Sequence, residues 1–185
     1  MHAKLSIFLR FSGVLSILSF CVFTSASIHR NSWFRFSRNA FSDLGCPRAY
    51  DPWIYNYGLV VTAILLGFFS VYLVYYSKSR LEIVGSSYIS VSSIFLALIG
   101  VFHCGTKPHG FVSTYFFVQI FLGILIFGIG LFRRNKTLSL SFIVIFLSSI
   151  FGLFIKWSSA AEIEAYEIFL LGIFGLLAGL IVKTK

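Results

Sequence analysis

Six stretches of this chain, each 18 to 24 residues long, are apolar enough to be helices in a bilayer. A hydrocarbon core about 30 Å thick takes roughly 20 residues of α-helix. The stretches are 11–28, 53–76, 83–102, 111–132, 137–155 and 165–182, and the last includes Glu167. Pro47, Pro52 and Pro108 all fall between stretches. That is expected where each backbone group must bond within its own helix. Only 11% of the 185 residues are charged, against about 25% in a soluble domain, which excludes a soluble enzyme and a disordered chain. The predicted fold is all-α. It is one integral membrane bundle of six transmembrane helices over 1–185, with an outer loop 29–52.

The formal charge of +9 needs a separate explanation. With both termini in the cytoplasm, the inner segments hold Lys4, Arg10, Lys78, Arg80, Arg133, Arg134, Lys136, Lys183 and Lys185 against one acid, Glu82. The outer segments mix Arg30, Arg35, Arg38, Arg48, Lys107 and Lys156 with Asp43, Asp51, Glu162, Glu164 and Glu167. Lys and Arg near span ends orient a membrane protein, so the charge predicts an N-in, C-in topology in the cell membrane. It reads as a topology signal and not as a nucleic-acid footprint, and no nucleic-acid partner is expected. A competing reading takes Lys4, Arg10, the first apolar run and Ser25-Ala26-Ser27 as a cleaved secretory signal, which leaves five spans.

Helices in lipid associate through small residues and polar contacts. Ser86, Ser90, Ser93, Ala97 and Gly100 recur at steps of four and three in the third stretch, which places them on one face. Gly175 and Gly179 form a Gly-x-x-x-Gly pair in the sixth. That pair fits packing inside the bundle or, alternatively, a homo-oligomer.

The candidate chemistry lies in the outer segments. Trp33, Phe36 and Ala40, with Arg35, Arg38 and Ser42, have the spacing of a short amphipathic helix at the membrane surface. Its arginines suit lipid phosphates. Asp43, just before Leu44-Gly45, reads either as a turn or cap residue or as a functional acid at the membrane boundary. His103 should end the third helix and His109 begin the fourth, and such a pair suits a metal or a proton shuttle. Glu162, Glu164 and Glu167 cluster where the sixth helix begins, a placement the helix dipole favours. Asp43, His103 and His109 have ligand types for a divalent metal such as zinc, although no cofactor is predicted outright. Cys46 and Cys104 share this face, either as free thiols or, in an oxidising compartment, as a disulfide.

The run Asn39-Ala40-Phe41-Ser42-Asp43-Leu44-Gly45 resembles the Asn-x-[aromatic or aliphatic]-Ser-Asp-Leu-Gly signature of a prokaryotic membrane family catalogued as domain of unknown function 998. Asn31-Ser32-Trp33-Phe34 before it and Trp53-Ile54-Tyr55-Asn56-Tyr57-Gly58 after it fit the same context. So does His109-Gly110-Phe111-Val112-Ser113. Ala161-Glu162-Ile163-Glu164 is similar to the family's Ala-Ile-Pro-Glu, with Glu162-Ile163 in place of Ile-Pro. A more remote resemblance is to the DRAM-like family of eukaryotic six-span proteins, which implies a lipid-handling role. Neither resemblance supplies a catalytic residue.

The leading expectation is a lipid-binding or lipid-organising protein, with membrane lipids as partners and Trp33, Arg35, Arg38 and Ser42 at its site. The second is a metal-dependent hydrolase of lipid headgroups, with Asp43, His103, His109 and Glu164 as its catalytic candidates. A small transporter ranks third.

Overall fold

The computed structural model describes residues 3–181. Val182, Lys183 and Lys185, to which the sequence assigns the last span's end and two inner charges, lie outside the described residues. Six α-helices follow in order: α1 Ala3–Arg30, α2 Pro52–Tyr76, α3 Arg80–Val101, α4 His109–Leu131, α5 Lys136–Gly152 and α6 Ala160–Ala178. No strand occurs among the described residues.

The helix starts follow backbone bonding, not hydropathy, which is why each precedes its apolar stretch. Ser79 accepts the Glu82 N–H at 3.1 Å, Asn135 the Leu138 N–H at 3.0 Å and Ser159 the Glu162 N–H at 3.2 Å. Each satisfies a donor that the first helical turn cannot. Pro52 opens α2, where no N–H is needed.

The helices α1, α2, α3 and α4 are long and apolar enough to cross a membrane. α5 is apolar but has 17 residues, and α6 carries Glu162, Glu164 and Glu167. Large side chains face outward along the bundle, among them Ile94, Leu147 and Phe169. A soluble protein rarely exposes apolar surface on that scale. The apolar helices fit an integral membrane protein.

Each helix packs against its neighbours in the chain, and α6 returns to α1, so the bundle closes into a ring. Small residues set the approach. At the α3–α4 seam a Cβ on Gly85 would sit 2.5 Å from the Phe127 nitrogen and 2.7 Å from the Gly123 carbonyl oxygen. Gly128 faces Phe142 of α5, Gly152 faces Tyr166 of α6, and Gly175 faces Gly13 of α1. The serine stripe of α3 meets α2, where Ser90 donates to Ser70 at 2.8 Å and Gly100 lies against Asn56.

At the end of the ring away from residues 31–51, Glu82 is fully buried and pairs with Arg134 at 3.3 Å. Glu82 also accepts the Lys78 N–H, while Arg134 donates to the Tyr76 carbonyl at 2.9 Å. The α2–α3 and α4–α5 turns are tied together there.

The interfacial helix expected over Trp33 to Ser42 does not form. Residues 32–38 make turns, and the first helical segment after α1 is a 3-10 helix, Phe41–Gly45. The cause is local. In a helix the Arg35 N–H would bond to the Asn31 carbonyl; instead the Asn39 side chain takes it at 2.8 Å. Asparagine side chains compete with helix formation in this way. Asn31 is buried and its amide donates to the carbonyls of Ser27 and Tyr50. Its oxygen accepts from Trp33 and from the Tyr50 N–H.

Candidate functional site

The three outer segments meet over one end of the ring, and the Ser-Asp-Leu-Gly run is the centre of that cover. Asp43 Oδ2 accepts the Ala40 N–H at 3.0 Å and an Asn39 amide hydrogen at 3.3 Å. Asp43 Oδ1 holds Arg48 at 2.9 Å. The carboxylate thus closes the first turn of the 3-10 helix, which is the turn-and-cap reading of this residue. Leu44 is fully buried. Gly45 leaves no room for a Cβ beside the Asn56 amide, which donates to the Gly45 carbonyl at 3.1 Å. Phe41 is buried, stacks on Phe34 with centroids 6.0 Å apart, and meets Phe20 edge-on at 5.8 Å.

The cover docks onto the start of α6 through three bonds. Ser159 donates to the Phe36 carbonyl at 2.6 Å, Ala161 N–H to the Asn39 carbonyl at 2.9 Å, and Phe41 N–H to Glu164 at 2.7 Å. The three glutamates therefore have different surroundings. Glu162 accepts the Ser158 N–H at 2.8 Å and serves the helix start. Glu164 holds the cover. Glu167 is buried within α6, and neither of its oxygens has a hydrogen-bond partner among the described residues. At Glu164, which precedes the apolar stretch 165–182, burial pushes the carboxyl pKa up. The Phe41 N–H opposes that shift and the nearby Asp43 carboxylate adds to it.

A disulfide between Cys46 and Cys104 fastens the α3–α4 loop to the cover. Cys21 is a free, exposed thiol on α1. His103 and His109 lie where the sequence places them, just past α3 and at the first residue of α4. Each ring spends Nδ1 on a carbonyl of its own loop, His103 on Cys104 at 2.9 Å and His109 on Phe102 at 2.8 Å. Metal-ligand distance gathers Asp43, Cys46 and Cys104. Two of those three are the disulfide, so the group supports no metal, and neither histidine belongs to it. The fold thus brings Asp43 and Glu164 together at the cover, while both histidine rings bond within their own loop.

Beneath the cover lies a cavity inside the ring. Its lining on α2 runs from Tyr55 to Phe69, residues about 21 Å apart along the helix axis. Its volume is ≈ 90 Å³. That volume over that length describes a narrow channel, one chain wide. Its walls are aliphatic and aromatic, including Leu59, Leu96, Ile99, Phe116 and Leu171. Ser42 and Glu164 line it at the outer end. Of the other residues expected to meet lipid, Trp33 is bonded to Asn31. Arg35 donates to the carbonyls of Ser32 and Phe34, and Arg38 is exposed.

Sequence reasoning missed Asn31, Asn56, Tyr55 and the cavity walls. The one available signal for the first three was their place in the runs flanking the Ser-Asp-Leu-Gly motif. The cavity has no local signature, because its lining comes from five helices.

A family model described as protein of unknown function (DUF998) matches residues 14–181. No curated protein and no solved structure matches the chain.

Proposed function

The chain belongs to the DUF998 family, and from that premise we propose that it is a six-span protein of the cell membrane, both termini cytoplasmic, that holds the hydrocarbon chain of a membrane lipid inside its ring. The observation that carries the reading is the narrow apolar cavity, capped at one end by Ser42, Glu164 and the 3-10 helix. Its lining residues spread over about 21 Å of α2, against the ~15 Å that one leaflet contributes to the bilayer core. An alkyl chain fits such a channel, whereas a sugar or nucleotide does not.

The energetics favour the same reading. An empty cavity costs about 24 cal/mol per Å³, so ≈ 90 Å³ corresponds to about 2 kcal/mol that an occupant would recover. Moving a tail from lipid into protein gains nothing from the hydrophobic effect, since lipid is equally apolar. Headgroup selection therefore falls to the outer end, where Ser42 and Glu164 line the channel and exposed Arg38 offers a guanidinium for a phosphate.

Support for six spans comes from the ring. α5 and α6 occupy the same layer as the four long apolar helices, and the loops alternate between its two ends. Arg10, Lys78, Arg80, Arg133 and Lys136 gather at the end away from the cover, which favours that end as cytoplasmic.

Native mass spectrometry of protein purified in mild detergent tests the reading. Bound lipid is expected, with at least tenfold lower occupancy in Leu59→Phe and Leu171→Phe, which fill the channel. Arg38→Ala should alter headgroup preference and leave occupancy largely unchanged. Lipid retained at wild-type level by both filled variants would overturn the proposal.

A further inference from the structure

A second recess lies on the other side of α6, between α4, α5 and α6. It opens outward between helices, not inward to the ring. Its walls are apolar, with Phe117 and Phe121 from α4, Phe146 and Ile150 from α5. Two carboxylates line it, Glu164 and Glu167, three residues apart and therefore on one face of α6.

Glu167 is the informative residue. It is 5% exposed. Ser149, across the α5–α6 seam, is close enough to act as a weak hydrogen-bond donor to it, while neither carboxylate oxygen has a partner at strict hydrogen-bonding geometry among the described residues. It is the eighth residue of α6, about 10 Å of rise from the helix start, too far along to serve as a cap. A buried acid without a partner is costly, and such acids in membrane helices mark places where a counter-charge binds.

We propose that this recess binds a long-chain primary amine, with its ammonium group against Glu167 and Glu164 and its tail along the α4–α5 wall. The charges complement: a primary ammonium offers three donors, while Glu164 accepts only the Phe41 N–H and Glu167 faces only the Ser149 hydroxyl. Phe117, Phe121 and Phe146 line the recess, and aromatic rings also attract a cation. The apolar walls suit the tail. Two carboxylates disfavour a phospholipid headgroup, whose phosphate would lie close beside its own amine. The site is distinct from the channel inside the ring, although Glu164 and Phe117 border both.

The test uses the full-length protein in neutral detergent micelles, with dodecylamine as probe and dodecanol as its uncharged match. Thermal shift and calorimetric titration should show saturable binding of dodecylamine and none of dodecanol. Affinity should fall at least tenfold in Glu167→Gln and by a smaller factor in Glu164→Gln. Leu171→Phe, which fills the inner channel, should leave amine binding intact, so this proposal and the lipid reading fail separately. A wild-type measurement covers the case where Glu167→Gln does not fold. Labelling of Glu167 by dicyclohexylcarbodiimide, read by peptide mass spectrometry, should be slowed by dodecylamine and not by dodecanol. Equal effects of amine and alcohol would overturn the proposal. So would full binding by folded Glu167→Gln, or a response to phosphatidylethanolamine with none to dodecylamine.

Discussion

Replacing Asp43 in two different ways separates a cap from a catalytic acid. Asp43 makes three contacts: the Ala40 N–H, the Asn39 amide and Arg48. Asp43→Ala removes all three. Losing a cap acceptor costs about 1 kcal/mol, in a range of roughly 0.5–2. The Arg48 side chain is 70% exposed, so that ion pair adds well under 1 kcal/mol. The expected loss is about 1–2 kcal/mol. For a chain of this size that lowers the melting temperature by about 2–8 °C. Asp43→Asn keeps an oxygen for the Ala40 N–H and gives up only the ionic part, so its shift should stay below about 3 °C. Arg48→Ala should match Asp43→Asn. Tryptophan-fluorescence melts in detergent read all three. A general base or metal ligand would respond in the opposite way, with asparagine as damaging to function as alanine. The cap assignment is refuted if Asp43→Asn melts as low as Asp43→Ala, or if Asp43→Ala melts like wild type.

Three further outcomes follow from other contacts. Glu82→Ala should destabilise by about 3–5 kcal/mol because it strands Arg134, and Glu82→Ala/Arg134→Ala should recover part of that loss in a double-mutant cycle. Cys46→Ser should abolish the mobility difference between reduced and non-reduced gels. Since Cys46 and Cys104 are 58 residues apart, its stability cost has a ceiling of about 4 kcal/mol from loop entropy; helices that stay inserted on unfolding would lower it. Burial raises the Glu164 pKa above its unfolded value, so over the interval between the two values the folded state binds more proton than the unfolded one. Stability should therefore fall as pH rises through that interval, and Glu164→Gln should flatten the slope of melting temperature against pH.

The helices were legible because a bilayer imposes a coarse length rule, and the charge-free stretches at 53–76 and 111–132 lie within one or two residues of α2 and α4. The first outer loop was misread for the opposite reason. Its aromatic and arginine spacing is helical, but Asn31 and Asn39 hold the backbone in turns, and a periodicity count gives two side-chain amides no weight. The three glutamates of α6 look alike in sequence. What separates them is the position of the first outer loop, about 120 residues away, which partners Glu164 and does not reach Glu167. The pairing of Cys46 with Cys104 was likewise open, because nothing in a 58-residue separation says that the α2–α3 hairpin returns both cysteines to one place.

The closing seam of the ring joins α1 to α6. Gly175 of α6 meets Gly13 of α1, and Ser159, Ala161 and Glu164 supply the bonds that seat residues 36–41. Without α6 the other five helices form an open crescent, the inner cavity loses one wall, and residues 36–41 lose the bonds that seat them. A chain truncated before α6 should therefore insert its first helices and still hold no lipid tightly.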